Sequence, residues 1–167
     1  ELLLEPLARS DDARILTAGT TNLKNFFDPG RTIEWDNLRG EHPDRPYSTY
    51  KFYGDSKMGL LLLTRRMAEA WAPRGIKANC VMIPTVRSEK ESLQKFTSWF
   101  RIIGPVVQFW NPFALSREQM AESYHHICTS EDFRSVSGEL VNHRSRILPP
   151  IAPGSRMTPV HVVRELV

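Results

Sequence analysis

Apolar positions in this chain gather into short runs separated by broken polar stretches. The run Ala13-Arg-Ile-Leu-Thr-Ala18 follows Ser10-Asp11-Asp12 and predicts a buried strand, with Gly19, Thr20, Thr21 and Asn22 at its carboxyl end. Residues 23 to 46 hold Asp28-Pro29-Gly30 and His42-Pro43 with little periodicity, which predicts a long loop. A helix is expected from about Thr49 to Trp71, with Leu60, Leu63, Met67 and Trp71 as a stripe most simply assigned to the core. Pro73 and Gly75 should end it.

The run Ile76-Lys-Ala-Asn-Cys-Val-Met-Ile83 predicts a second strand, stopped by Pro84. From Glu89 to Leu115 the chain is apolar and aromatic but is cut by Gly104-Pro105 and Asn111-Pro112, too broken for one helix. Ser116 with Gln119 has the spacing of a capping box and opens a helix over 116–129. Ser137-Gly-Glu-Leu-Val141 predicts a last short strand, and Pro149, Pro150, Pro153 and Gly154 an extended tail. Strand, helix, strand, helix, strand implies an α/β layered fold with parallel strands, whose ligand crevice lies beyond their carboxyl ends. Thr20 and Pro84 both fall there.

Composition narrows this picture only slightly. At 167 residues, 41% hydrophobic and 25% charged, the chain has the size and make-up of one globular domain. The net charge of +3 comes from scattered Lys and Arg residues, so nucleic acid is not an expected partner. Cys80 and Cys128 have no CxxC spacing, which indicates neither a zinc site nor a disulfide framework and fits a reducing, cytoplasmic setting. No apolar stretch reaches the ~18 residues that span a bilayer. His125 and His126 are adjacent, so they point to different helix faces and do not share a metal. The chain opens on Glu1 inside an apolar helical pattern and closes in what reads as a helix start, so both ends are expected to be cut.

The candidate chemistry lies in Tyr53-Gly54-Asp55-Ser56-Lys57. On a helix, Tyr53 and Lys57 project from one face, and an ammonium beside a phenol stabilises the phenolate and lowers a Tyr pKa that starts near ~10. That is the requirement for proton transfer at neutral pH. Tyr47 and Lys51 repeat the spacing without the context. Ser56 reads as a packing residue, since no Ser-His-Asp arrangement surrounds it.

The order of strand, hydroxyl residue, long loop, Tyr-x-x-Ser-Lys helix, strand, Pro and aromatic segment resembles the C-terminal half of the short-chain dehydrogenase/reductases. The retinol-dehydrogenase-like branch is closest, through Tyr53-Gly-Asp-Ser-Lys-Met-Gly-Leu-Leu-Leu, Ala13-Arg-Ile-Leu, Arg74-Gly-Ile-Lys-Ala-Asn79 and Ser135-Val-Ser-Gly138. The resemblance implies a partial Rossmann-like, doubly wound parallel sheet lacking its N-terminal dinucleotide-binding half. Residues 1–148 would form the C-terminal part of one domain, and 149–167 a tail and helix start.

It also implies hydride transfer between NAD or NADP and a small apolar alcohol, aldehyde or ketone. Tyr53 would be the general acid or base, and Lys57 would support it and bind the nicotinamide ribose. Thr20 would polarise the substrate oxygen from a position where the family usually has Ser, with Thr21 as a second candidate. Tyr53, Lys57, Pro84, Thr85, Val86 and Ser88 would meet the cofactor, and the 89–115 segment would cover the substrate. A peripheral membrane contact through that segment and homo-oligomer formation stay open.

Three departures, Thr20 in place of the usual Ser among them, support a second class of reading, a catalytically inactive fragment or pseudoenzyme acting as an interaction module. The family's Pro-Gly after the strand is Pro84-Thr85 here. None of the nine glycines forms the G-x-G of a dinucleotide-binding turn, so this chain alone is not expected to bind NAD(P) tightly.

Overall fold

The computed structural model describes residues 3–23, 31–86 and 114–150. The expectations placed on the 89–115 aromatic segment up to residue 113, on Ser88 and on the tail beyond residue 150 lie outside the described residues.

A short helix α1 (Leu4–Ala8) leads into β1 (Ala13–Ala18). The long helix α2 (Thr49–Trp71) follows, then β2 (Ile76–Met82), α3 (Arg117–Thr129) and β3 (Leu140–Asn142). The three strands pair in parallel in the order β1-β2-β3, with Ala13 opposite Ile76 and Cys80 opposite Leu140, and Val141 of β3 also makes an antiparallel bridge to Ile147. β2 is therefore central, and six of its seven residues are buried, as expected of a parallel strand covered on both faces.

The covers are α2 on one face and α3 on the other. Met58 and Leu61 of α2 pack with Cys80, Met82, Leu140, Leu23 and Ile33. Met120 and Ile127 of α3 pack with Val81, Val141 and Phe133 on the opposite side, as the alternation of side chains along a strand requires. This three-layer arrangement is the α/β architecture that the order of elements implied.

Element ends follow local chemistry. Ser116 caps α3, accepting from Gln119 N at 3.2 Å while its own N–H donates to Gln119 Oε1 at 2.9 Å. At the other end of α3, Arg14 of β1 donates to the carbonyls of Ile127 (3.1 Å) and Ser130 (2.7 Å) and pairs with Asp12. Hydrogen bonds from Arg14, and then Lys77, hold the Asp12 carboxyl below the usual carboxylate range. After α2, a single 3₁₀ turn over Ala72–Arg74 contains Pro73 and closes on Gly75 at φ 74°, which glycine adopts without a Cβ penalty.

The stripe assigned to the core of α2 requires correction. Leu63 is 53% exposed, and the fully buried line is Met58, Leu61 and Thr64, continued by Ala68 at 6%. Leu60 to Leu63 is apolar all round, so the pattern did not select a face. Selection came from Thr64, whose hydroxyl donates to Leu60 O and meets Thr17 Oγ1, both at 2.7 Å, fastening α2 to β1.

The described part of the long loop is ordered around one buried side chain. Asn37 Nδ2 donates to Glu34 Oε2 (3.1 Å) and Arg45 O (3.0 Å), and its Oδ1 accepts from His42 N (3.1 Å). A polar side chain buried to 3% exposure satisfies three groups and replaces a secondary-structure ladder across this stretch.

Candidate active site

The carboxyl end of β1 is drawn unusually close to β2. The ladder continues past both strands, with Gly19 N bonded to Val81 O (2.8 Å) and Thr21 N to Ile83 O (3.0 Å). A Cβ at Gly19 would stand 2.8 Å from Cys80 Sγ and 2.9 Å from Val81 O, so only glycine fits this approach. The result is a fixed shelf at the carboxyl edge of the sheet that carries Thr20.

Thr20 is 8% exposed. Its Oγ1 accepts a long 3.4 Å bond from Asn22 N, and its carbonyl accepts from Leu23 N at 3.1 Å. Thr21 follows as part of the extended ladder.

Across from this shelf lies the second turn of α2. Lys57 Nζ reaches the end of β1 and donates to Ala18 O at 2.9 Å, while standing 5.8 Å from the centre of the Tyr53 ring. Tyr53 is 44% exposed. The helical spacing thus brings Tyr53 and Lys57 together, and the Lys57 bond brings both to the strand end that precedes Thr20. Ser56, the third polar residue here, turns its hydroxyl back to Tyr53 O at 2.8 Å.

The second Tyr-Lys pair is arranged differently. Tyr47 precedes α2 and stacks on Phe52 with ring centres 4.9 Å apart. Lys51 is paired with Glu34. Hydrogen bonds from Lys51 and Asn37 hold the Glu34 carboxyl below its usual range.

Beyond β2, Thr85 O accepts from Leu115 N at 2.9 Å, and Val86 bridges to Leu115 in parallel. Pro84 and Val86 are half-buried and Thr85 is exposed. Cys80 is fully buried beneath the shelf, and burial pushes its thiol pKa up, which argues against a nucleophilic role.

Spacing arguments missed three contributors. Gly19 sets the strand approach, Ala18 supplies the carbonyl that Lys57 grips, and Arg31 donates to Asp55 Oδ1 at 2.5 Å from behind the helix. Gly19 directly after an apolar strand was the one visible signal for the first. Pairing between residues 31 and 55 leaves no mark in sequence spacing.

The sheet and its two helical covers are those of part of a short-chain dehydrogenase/reductase fold. An oxidoreductase of that family from Burkholderia thailandensis superposes with a TM-score of 0.53 at 15% identity, over 84% of this chain and 45% of its own. A variant of ElxO with NADPH bound gives 0.51 at 18% identity, over 84% and 48%. In sequence the chain is similar to retinol dehydrogenase 12 of Mus musculus, 28% identical over 148 residues. The resemblance to the retinol-dehydrogenase-like branch therefore holds across 87% of this chain, which spans 42% of that relative's length. No protein-family profile matches the chain.

Among the described residues no helix is long and apolar enough to cross a membrane, and no three His, Cys, Asp or Glu residues are grouped to hold a metal ion.

Proposed function

We propose that this chain carries the proton-transfer half of an NAD(P)-dependent oxidoreductase site acting on an apolar alcohol, aldehyde or ketone. The observation that carries the reading is the Tyr53-Lys57 pair held at the carboxyl end of β1. A half-exposed phenol can meet a substrate oxygen, giving its proton in carbonyl reduction and taking one in alcohol oxidation. The Lys57 ammonium stands beside that phenol, 5.8 Å from the ring centre. Thr20 would orient the same substrate oxygen with its hydroxyl, a small oxyanion-type contribution.

The residues present suit the nicotinamide end of the cofactor. Lys57 and Tyr53 would supply donors for the ribose, and Pro84, Thr85 and Val86, of which Thr85 alone is exposed, follow the neighbouring strand; Ser88 belongs to the same sequence expectation. Bound NAD(P) supplies or accepts the hydride. The pyrophosphate has no G-x-G turn in these 167 residues to receive it. That absence favours the second reading, a non-catalytic interaction module, for this chain assayed by itself.

Tyr53→Phe separates the two. In any expressed form of the protein that oxidises or reduces a test substrate such as an apolar aldehyde, the variant should lose turnover while keeping its circular dichroism spectrum and unfolding midpoint. Unchanged turnover would remove Tyr53 from the chemistry and with it the oxidoreductase assignment.

A further inference from the structure

Two ion pairs grip α2 on either side of Tyr53. Lys51, two residues before it, pairs with Glu34, and Asp55, two residues after it, pairs with Arg31 at 2.5 Å. At 3.6 residues per turn, positions −2 and +2 each lie about 160° around the helix from Tyr53 and only about 40° from one another. Both therefore project from the face behind the phenol. Asp55 is buried at 8% exposure, while Tyr53 opposite is 44% exposed.

The two loop partners belong to one ordered segment. Arg31 Nη2, which bonds Asp55, also donates to Lys51 O (3.2 Å), and Nη1 donates to Thr32 O (2.7 Å), so one guanidinium joins the loop to α2 at the point where the carbonyl of residue 51 meets the side chain of residue 55. Glu34 is held in turn by Asn37 (3.1 Å) and by Arg45 (3.4 Å). The loop is thus fastened at both ends of the turn that presents Tyr53.

We infer that Arg31 and Asp55, with Lys51 and Glu34, are positioning residues: a clamp that fixes the angle at which the Tyr53 turn faces the end of β1. Their placement behind the phenol favours a positioning role over mere stability. A buried ion pair adds little net stability compared with apolar residues of similar volume, because both charges must be desolvated. What it supplies is direction, since the planar guanidinium holds Asp55 and Lys51 O through Nη2 and the loop carbonyl of Thr32 through Nη1 only in one geometry. Displacing a reacting group by about 1 Å can cost on the order of 100-fold in rate. The inference rests on the Proposed function for its catalytic consequence but not for its geometry.

The test labels the chain's four tyrosines with 3-fluorotyrosine, assigned by single Tyr→Phe changes, and reads their fluorine resonances. The central variant is the double Arg31→Met, Asp55→Leu, which removes the more buried half of the clamp without leaving an unpaired buried charge. Arg31→Lys keeps the charge but loses the planar second nitrogen that bonds Thr32 O. In the double variant the Tyr53 resonance should shift or broaden, Tyr124 on α3 should stay in place, and the unfolding midpoint should move by less than about 4 °C. Arg31→Lys should give a smaller displacement in the same direction. Where turnover is measurable, kcat should fall about 10- to 100-fold with KM little changed. An unmoved Tyr53 resonance overturns the clamp. So does loss of all four native resonances together, which would make the pair a stability element. Failure of Tyr53→Phe to affect turnover overturns the oxidoreductase reading and leaves the fluorine result to judge the clamp.

Discussion

Lys57 Nζ is bound to the carbonyl oxygen of Ala18 at 2.9 Å, so the ammonium that lies beside the Tyr53 ring is also the link between α2 and the end of β1. One side chain thereby sets both a charge and a distance. Lys57→Met keeps much of the stem and removes both. The loss of one partly exposed hydrogen bond should cost about 1 kcal/mol in urea unfolding. Turnover should fall at least about 100-fold, the lower range for positioned acid-base groups. A full-activity Lys57→Met enzyme would confine the residue to a structural role.

Thr20 separates hydroxyl from methyl. Thr20→Ser retains the oxygen that accepts from Asn22 N and should keep most activity. Thr20→Val keeps the shape and should lower kcat about 100-fold or more, as for the loss of one oxyanion donor. Steady-state kinetics of the pair decides the matter, and equal kcat values would shift attention to Thr21.

Gly19→Ala places a methyl 2.8 Å from Cys80 Sγ and 2.9 Å from Val81 O. Both belong to the fully buried residues Cys80 and Val81 of the central strand, so a core neighbour must shift. The cost expected is about 1–3 kcal/mol, as for overpacking, read as a lowered denaturant midpoint with an unchanged slope.

Along α2, Leu61 is fully buried and Leu63 is 53% exposed. Leu61→Ala should cost about 2–5 kcal/mol, and Leu63→Ala about 0.5 kcal/mol or less. The reverse order in equilibrium unfolding would restore the stripe that the sequence suggested.

Acid should loosen the loop. The Glu34 carboxyl is held below its usual value of 4.5 by its hydrogen bonds to Lys51 and then Asn37. Its folded form therefore binds protons less readily than the unfolded chain. The contribution is complete above about pH 4.5 and is lost as pH falls through the depressed folded value. Glu34→Gln should flatten the stability-against-pH curve in that acidic window. A curve identical to that of the parent chain would mean that Glu34 carries none of the dependence.

Strands and helices were legible where local chemistry decides them. The Ala13–Ala18 strand, the helix bounds at Thr49 and Trp71, and the Ser116-Gln119 cap depend on neighbours within four residues, and all are observed. The buried face of α2 was not legible, because a run of four leucines offers every direction and Thr64 chooses one only after β1 is present. The same limit hid Arg31 behind Asp55 and Asn37 within the loop. Tyr53 and Lys57 stood out because their pairing is helical and close. The carbonyl that Lys57 grips belongs to a strand 39 residues away.

Parallel pairing also fixes an order of events in time. Ala13 meets Ile76, and Cys80 meets Leu140, so each parallel contact between the described strands closes a long stretch of chain, and only β3 also folds back locally, through an antiparallel bridge from Val141 to Ile147. Helices α2 and α3 are local structures and should gain amide protection first in pulse-labelled hydrogen exchange, with the sheet following more slowly. The turn that holds Tyr53 is then shaped before its counterpart exists. Lys57 finds Ala18 only when β1 docks, which makes completion of the site a late step of folding rather than a property of the helix alone.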